Sequence, residues 1–285
     1  WLSLRCEASD SELFAAGWPR LRSSLLRPVD PASLVFIRIA FGAILFWETL
    51  RYFQNGWIAR YWIDPVFHFA YLGFAWVKPW PGVGMYAHLA ALGALAILIA
   101  VGLAYRVATV LFFLGFTYLF LLDQARYLNH FYFLILVSFL LIFVPANRAF
   151  SLDARFGPKR TDRRVPAWSI WILRFQLLVL YGFAGIAKLN GDWLRGEPLR
   201  AWLAPLSQHR VVGAFFQSEA APYLLSYGGL LLDLLVGPAL LWRRTRPWAF
   251  LALVAFHSMN GWLFQIGIFP WIALACSTIF FEPDW

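Results

Sequence analysis

About eight apolar runs, most of them near twenty residues long, follow one another along this 285-residue chain. A helical run of that length matches the hydrocarbon thickness of a bilayer. Inside lipid, only helices and closed barrels satisfy their own backbone polar groups. The runs lie at about 32–52, 83–104, 107–122, 130–144, 167–189, 223–242, 247–264 and 266–281. Asp30 and Pro31 read as a helix cap and first-turn proline ahead of the first. The fourth run is short for a full span, and Pro270 makes a broken or re-entrant segment the alternative for the eighth. Composition agrees: 61% of residues are hydrophobic and 14% charged, against about 45–50% and about 25% in soluble domains. The fold class expected is all-α, a polytopic integral membrane protein of about eight transmembrane helices. Disorder, a disulfide scaffold, a coiled coil and an ordinary soluble enzyme are excluded.

The net charge of +9 comes from 24 basic and 15 acidic residues. The basic residues fall in the gaps between apolar runs, which fits the charged loops of a membrane protein and not a nucleic-acid surface. Fourteen of the 24 fall on one side of the alternating runs, and seven on the other. The positive-inside rule makes the richer side cytoplasmic and the N-terminus with it. Two connections on the opposite side, about 54–81 and 190–222, are long and rich in Trp and Tyr. They are expected to form interfacial helices at headgroup level, and residues 12–26 to do the same on the inner side. Cys6 and Cys276 make no disulfide framework, and the five His show no metal-ligand spacing, so no metal is expected. The chain opens on Trp1 instead of Met and closes just after an apolar run, as a piece of a longer protein would.

Ionisable groups inside spans are costly and tend to face a bundle interior. Arg38, Glu48, Asp123, Arg174, Lys188, Asp233 and His257 are such groups, and His130 opens the fourth run. Arg38 and Arg174 share a depth near the basic side, and Asp233 is a candidate partner for either. Glu48, Asp123, His130 with its neighbour Asn129, Lys188, and His257 with Asn260 converge on the other half. Lys188 is the only lysine in any run. Gly182, Ala184, Gly185 and Ala187 ahead of it would let another helix approach closely. A lysine in an apolar site loses affinity for its proton and can act as a base. A lysine near a helix end can also snorkel to the headgroups, and the residues alone leave both open. Likewise His130 can simply bond nearby backbone, and His257 with Asn260 can make an interhelical polar contact.

Tyr181 to Trp193, followed by Leu194-Arg195-Gly196, resembles the active-site lysine segment of vitamin K-dependent gamma-carboxylases. Tyr127 to Tyr132 is similar to that family's Asn-His segment. Phe256 to Asn260 with Leu263 to Pro270 resembles a third block. Ser33-Leu34, Arg38, Phe41-Gly42 and the closing Phe280 to Trp285 fit as well. The resemblance covers nearly the whole chain as a single domain over 1–285, with 1–30 as an N-terminal segment. It runs through the membrane module called the horizontally transferred transmembrane (HTTM) domain. The large extracytoplasmic domain that follows in those carboxylases has no counterpart in this sequence.

What the resemblance implies is a membrane enzyme that couples two reactions. Oxygenation of reduced vitamin K, a phylloquinol or menaquinol, to the epoxide drives addition of carbon dioxide to the γ-carbon of glutamate side chains. The co-substrates are oxygen and carbon dioxide, and no metal is needed. By position, Lys188 would be the base that deprotonates the quinol and His130 would hydrogen-bond the reacting species. Asn129, His257 and Asn260 would orient quinol or substrate. The partners expected are the lipid bilayer, the quinol and a glutamate-containing protein or peptide, with no nucleic acid. The expected place is a bacterial inner membrane, with the site toward its outer half. Two other functions fit the residues: a quinol oxidoreductase that carboxylates nothing, and a non-catalytic transporter or partner subunit. The lack of an inverted repeat counts against transport.

Overall fold

The computed structural model describes residues 20–158, 162–208, 210, 212–264 and 266–283. Each of the eight apolar runs is a helix: α1 Ala32–Gln54, α2 Val83–Val101, α3 Tyr105–Leu121, α4 Asn129–Phe143, α5 Trp168–Ala187, α6 Ala220–Leu241, α7 Arg246–Phe264 and α8 Phe269–Ser277. Pro31 takes the cap position of α1 instead of its first turn, and the Asp30 carboxylate just ahead of it accepts the Ala32 N–H (2.7 Å). Gly102, at φ +66°, closes α2 in the left-handed conformation that glycine adopts without strain.

Length separates these helices. α1, α2, α5 and α6 are long and apolar enough to cross a membrane. α3 and α4 have 17 and 15 residues. α7 has 19 but carries Arg246, His257, Ser258 and Asn260. Pro270 does not break the eighth run; it sits in the first turn of α8, where its missing N–H costs nothing. The run shortens instead because Gly267, at φ +64°, turns the chain ahead of it. α8 and the 3-10 turn Thr278–Phe280 after it rise only roughly 20 Å, well under a hydrocarbon core of about 30 Å. Eight full crossings are therefore not established. The aromatic connections also divide. Between α5 and α6 the chain makes short helices at Gly191–Leu194, Glu197–Leu203 and Gly213–Phe216. Between α1 and α2 the expected interfacial helix is reduced to a π-helical turn at Ala59–Ile63, with irregular chain after it. Pro65, Pro79 and Pro81 remove the backbone donors a longer helix there would need. Residues 20–26 are helical, and the rest of the expected inner interfacial helix, 12–19, lies outside the described residues.

α1 packs along α2, α3 lies between α2 and α4, and α5 packs along α6 with α7 beside it. α8 touches α1, α5 and α7 and so ties the two groups together. Gly42 sets the α1–α2 spacing, since a Cβ there would lie 2.5 Å from the Ala96 carbonyl oxygen. The outward faces are apolar: Phe175, Phe183 and Ile186 on α5 are each at least 60% exposed, as are Leu235 on α6 and Val107 on α3. In water such faces would be an aggregation liability; in lipid they are solvated. The molecule is an integral membrane protein by this pattern.

The Arg-rich end is closed by hydrogen bonds to buried arginines. Arg38, fully buried, donates to the Phe150 carbonyl, and Arg174 donates to the carbonyls of Ile279 (3.0 Å) and Phe280 (3.4 Å). Neither arginine pairs with Asp233, contrary to expectation. Each lies closer to a turn whose carbonyls have no helical partner. Asp153 knots this end. Its carboxylate accepts the N–H groups of Ala104 (2.8 Å) and Tyr105 (3.0 Å) and the Asn147 amide (2.9 Å). Desolvation works to raise the Asp153 pKa, but the hydrogen bonds and the Arg38 charge outweigh it and hold the carboxyl below its ordinary value. A carboxyl with a depressed folded pKa adds stability above its unfolded pKa and loses it as pH falls through the folded one. The wild-type protein should therefore lose thermal stability on acidification below about pH 4. Asp153→Asn should melt lower at neutral pH with a flatter acid limb, as read by thermal unfolding in detergent against pH. An unchanged limb would contradict the role given to Asp153.

Candidate functional site

α5 ends one residue before Lys188. Asn190 then accepts the Trp193 N–H at 2.9 Å and starts a new short helix, which reverses the chain. Trp193 is pinned to α6 from both sides: its indole N–H donates to the Ser226 carbonyl (2.9 Å), and the Ser226 hydroxyl donates to the Trp193 carbonyl (2.7 Å). The indole thereby sits over Lys188, with Nζ 5.1 Å from the ring centroid. Below it, Gly185 lets α5 meet α6. A Cβ there would lie 2.6 Å from Leu234 Cδ2 and 3.1 Å from the Leu234 nitrogen. Gly182, the other glycine of the segment, has open space beside it and sets no contact.

That approach brings Lys188 Nζ to 2.6 Å from Asp233 Oδ2, with a second bond to the Ala184 carbonyl at 3.2 Å. The Lys188 side chain is 19% exposed and that of Asp233 4%. Lys188 does not reach away to the surface; it turns inward to a buried carboxylate. A cavity of about 170 Å³ opens beside the amine, walled by Trp193, Trp202, Phe256, Met259 and Phe264. Asn260 lines it too and, with Lys188, supplies its polar side chains. An engineered apolar cavity of roughly 150 Å³ holds a benzene ring, so this one has room for an aromatic head group. The Gly229 face is part of its wall, where a side chain would approach Phe256 and Trp193.

Deeper in the bundle, His257 is buried with its Nε2 3.2 Å from the Tyr181 hydroxyl, which lies 3.3 Å from Ser277 Oγ. His257 Nδ1 has no partner among the described residues. Tyr181 is seven residues before Lys188 and so on the same face of α5. The Phe269 ring approaches two histidines, 5.5 Å from His257 and 5.8 Å from His130.

The expected site residues thus fall into three places. Lys188 and Asn260 share the cavity. His257, although one turn from Asn260, faces Tyr181 in the interior. His130 is half-buried beyond Phe269, and its neighbour Asn129 is exposed at the head of α4. Glu48 is held by Arg51 at 2.6 Å on its own helix. Asp123 is occupied by the N–H groups of Phe69 (3.2 Å) and Ala125 (3.0 Å) and faces His68 Nδ1 at 3.4 Å, so it latches the α1–α2 connection onto the end of α3. Sequence reasoning misses the partner of Lys188 and the roles of Trp193, Ser226 and Tyr181. The seven-residue spacing is a signal for Tyr181; nothing local in the sequence marks Ser226. Cys276 is buried and free; Cys6, Gln265, Asp284 and Trp285 lie outside the described residues.

The family model of the HTTM domain matches residues 26–285, and the chain belongs to that family. No solved structure matches the chain.

An ion pair at a close helix contact is energetically coupled. A double-mutant cycle of Lys188→Met and Asp233→Asn, followed by thermal or denaturant unfolding in detergent, should return a coupling of about 1–3 kcal/mol. The double variant should be more stable than the sum of the singles implies. Additive effects would mean that the two side chains do not meet.

Proposed function

We propose that this HTTM protein is a gamma-carboxylase-like membrane enzyme, in which oxygenation of a reduced vitamin K-type quinol is coupled to carboxylation of glutamate side chains. The observation that carries the reading is the position of Lys188. The one lysine in the apolar runs lines an aromatic cavity and is paired with a buried carboxylate. The sequence around it is the block that resembles the family's catalytic segment.

The cavity suits a quinol head group. Its walls are aromatic, its volume is that of a small ring system, and its polar side chains, Lys188 and Asn260, can meet ring oxygens. When bound, the reduced quinol supplies with oxygen the strong base that the glutamate γ-carbon requires. The protein's own groups then have four tasks. Lys188 takes a proton at Nζ from a ring hydroxyl. Asp233, at 2.6 Å, accepts the ammonium proton at Oδ2 and frees the amine lone pair for that step. Trp193 and Phe256 keep bulk water away, since water would quench a strong base. Asn260, with a donor and an acceptor on one amide, fixes the ring's orientation.

His130 and His257 enter the reading on family grounds, as groups that hold substrate or reacting species. Both of their rings approach that of Phe269, at 5.8 Å for His130 and 5.5 Å for His257. The charge of the Arg-rich end supports a cytoplasmic orientation for it, and with it a Lys188 cavity in the outer half of an inner membrane.

Two variants test the base. Lys188→Arg keeps the charge and the ion pair but cannot release its proton. It should unfold near the wild-type temperature while quinol epoxidation falls at least about 100-fold. Lys188→Ala should be equally inactive. Epoxidation near the wild-type rate in either variant would remove Lys188 from the chemistry. Radiolabelled carbon dioxide supplied with a glutamate peptide, in the same assay, separates carboxylation from quinol oxidation alone. Incorporation is the expected result.

A further inference from the structure

A second cavity, of about 270 Å³, lies between the π-helical turn Ala59–Ile63, the end of α1 and the α3–α4 connection, lined by Tyr52, Tyr61, Trp62 and Tyr127. Its buried carboxylate, Asp123, already has partners. His257 is incompletely partnered. It is 1% exposed, and its Nδ1 has no hydrogen-bond partner among the described residues.

The direction of each hydrogen bond around His257 follows from counting hydrogens. Ser277 Oγ lies 2.8 Å from the Ala273 carbonyl oxygen. A carbonyl only accepts, so the single hydroxyl hydrogen of Ser277 is used there. In its 3.3 Å contact with Tyr181, Ser277 can then only accept, and Tyr181 donates. That uses the one hydrogen of Tyr181. The phenol oxygen has only lone pairs left for His257 Nε2, 3.2 Å away, so the imidazole must carry its hydrogen on Nε2. The ring is neutral: the Phe256 and Phe269 rings enclose it, at 5.4 and 5.5 Å, and no carboxylate bonds to it among the described residues. A neutral imidazole protonated at Nε2 presents a bare lone pair at Nδ1. The opposite order makes one hydrogen bond fewer. Tyr181 would donate to Nε2, two oxygen lone pairs would face each other at Ser277, and a buried N–H would be stranded at Nδ1. Each of these costs free energy.

We infer that Ser277 and Tyr181 are positioning residues that lock His257 as its Nε2–H tautomer, so that it meets a ligand through Nδ1 as a hydrogen-bond acceptor. The group it takes must carry a hydrogen: a hydroxyl, an amide N–H or a water. A carboxylate or other bare anion would face a lone pair and is refused. The three side chains come from three helices, Ser277 from α8, Tyr181 from α5 and His257 from α7. The tautomer follows from hydrogen-bond geometry alone. Its consequence for turnover rests on the reading that His257 holds substrate or reacting species.

The test is nitrogen-15 NMR of the chain labelled at histidine, in lipid nanodiscs. The signal of a ring nitrogen that carries a hydrogen stands well apart from that of one without. His257→Gln identifies the His257 signals among those of the five histidines. In the wild type, Nε2 should carry the hydrogen and Nδ1 none. Ser277→Ala frees the Tyr181 hydrogen for Nε2, so the ring hydrogen should move to Nδ1 in most molecules. Quinol epoxidation by Ser277→Ala should fall about tenfold, roughly the worth of one hydrogen bond. A wild-type ring protonated at Nδ1 or at both nitrogens would overturn the assignment, as would a Ser277→Ala spectrum identical to that of the wild type. A moved hydrogen with an unchanged epoxidation rate would overturn the acceptor role. A wild type that epoxidises no quinol would refute the enzymatic reading, and the spectra would still decide the tautomer.

Discussion

The Lys188–Asp233 ion pair is the interaction around which the proposed active site is organised, and it depends on one missing side chain. Gly185 lets the backbones of α5 and α6 approach until a lysine one turn further on reaches a carboxylate on the facing helix. Charged groups in an apolar interior need partners, and here each is the other's. The pair fixes the lysine's direction, turning it into the bundle and away from the headgroup region. Asn190 and Ser226 then fold Trp193 over it. The cavity is what remains between that indole, α6 and α7.

Much of this is legible in the amino-acid sequence alone. The eight apolar runs form eight helices at nearly their expected places, because in lipid an apolar run can satisfy its backbone only as a helix or in a closed barrel. Lys188 stands out in the sequence as the only lysine in any apolar run, although the residues alone leave both snorkelling and an inward turn open. The pairings are less legible. Depth matches Asp233 to Arg38 or Arg174, yet depth along the normal says nothing about which helices are neighbours. The two arginines instead meet carbonyls at chain turns, positions that a hydropathy pattern cannot reveal. The span count suffers in a related way. Apolar composition marks burial as readily as it marks lipid contact, so α8, wedged among α1, α5 and α7, reads like a spanning helix although it is too short to be one.

The two ends of the bundle differ in chemistry. At the Arg-rich end, Arg38, Arg174 and Asp153 close chain turns, and the hydrogen bonds they make there go mostly to backbone groups. At the other end, aromatic residues line two cavities, and the Lys188 amine turns inward beside one of them. One end of the bundle is a hydrogen-bonded closure, and the cavities lie at the other. Of the two histidines whose rings approach Phe269, His130 stands in the first turn of α4 and His257 inside the bundle. His257 in particular keeps one ring nitrogen without a partner among the described residues, next to the tyrosine that continues the Lys188 face of α5.

A structure of the protein in lipid with a naphthoquinone-type ligand bound tests the central claim most directly. The account predicts the ring between Trp193 and Phe256, with one ring oxygen within about 3.2 Å of Lys188 Nζ and the Asp233 contact retained. A ring bound elsewhere, with the cavity beside Lys188 filled by acyl chain or collapsed, would contradict it.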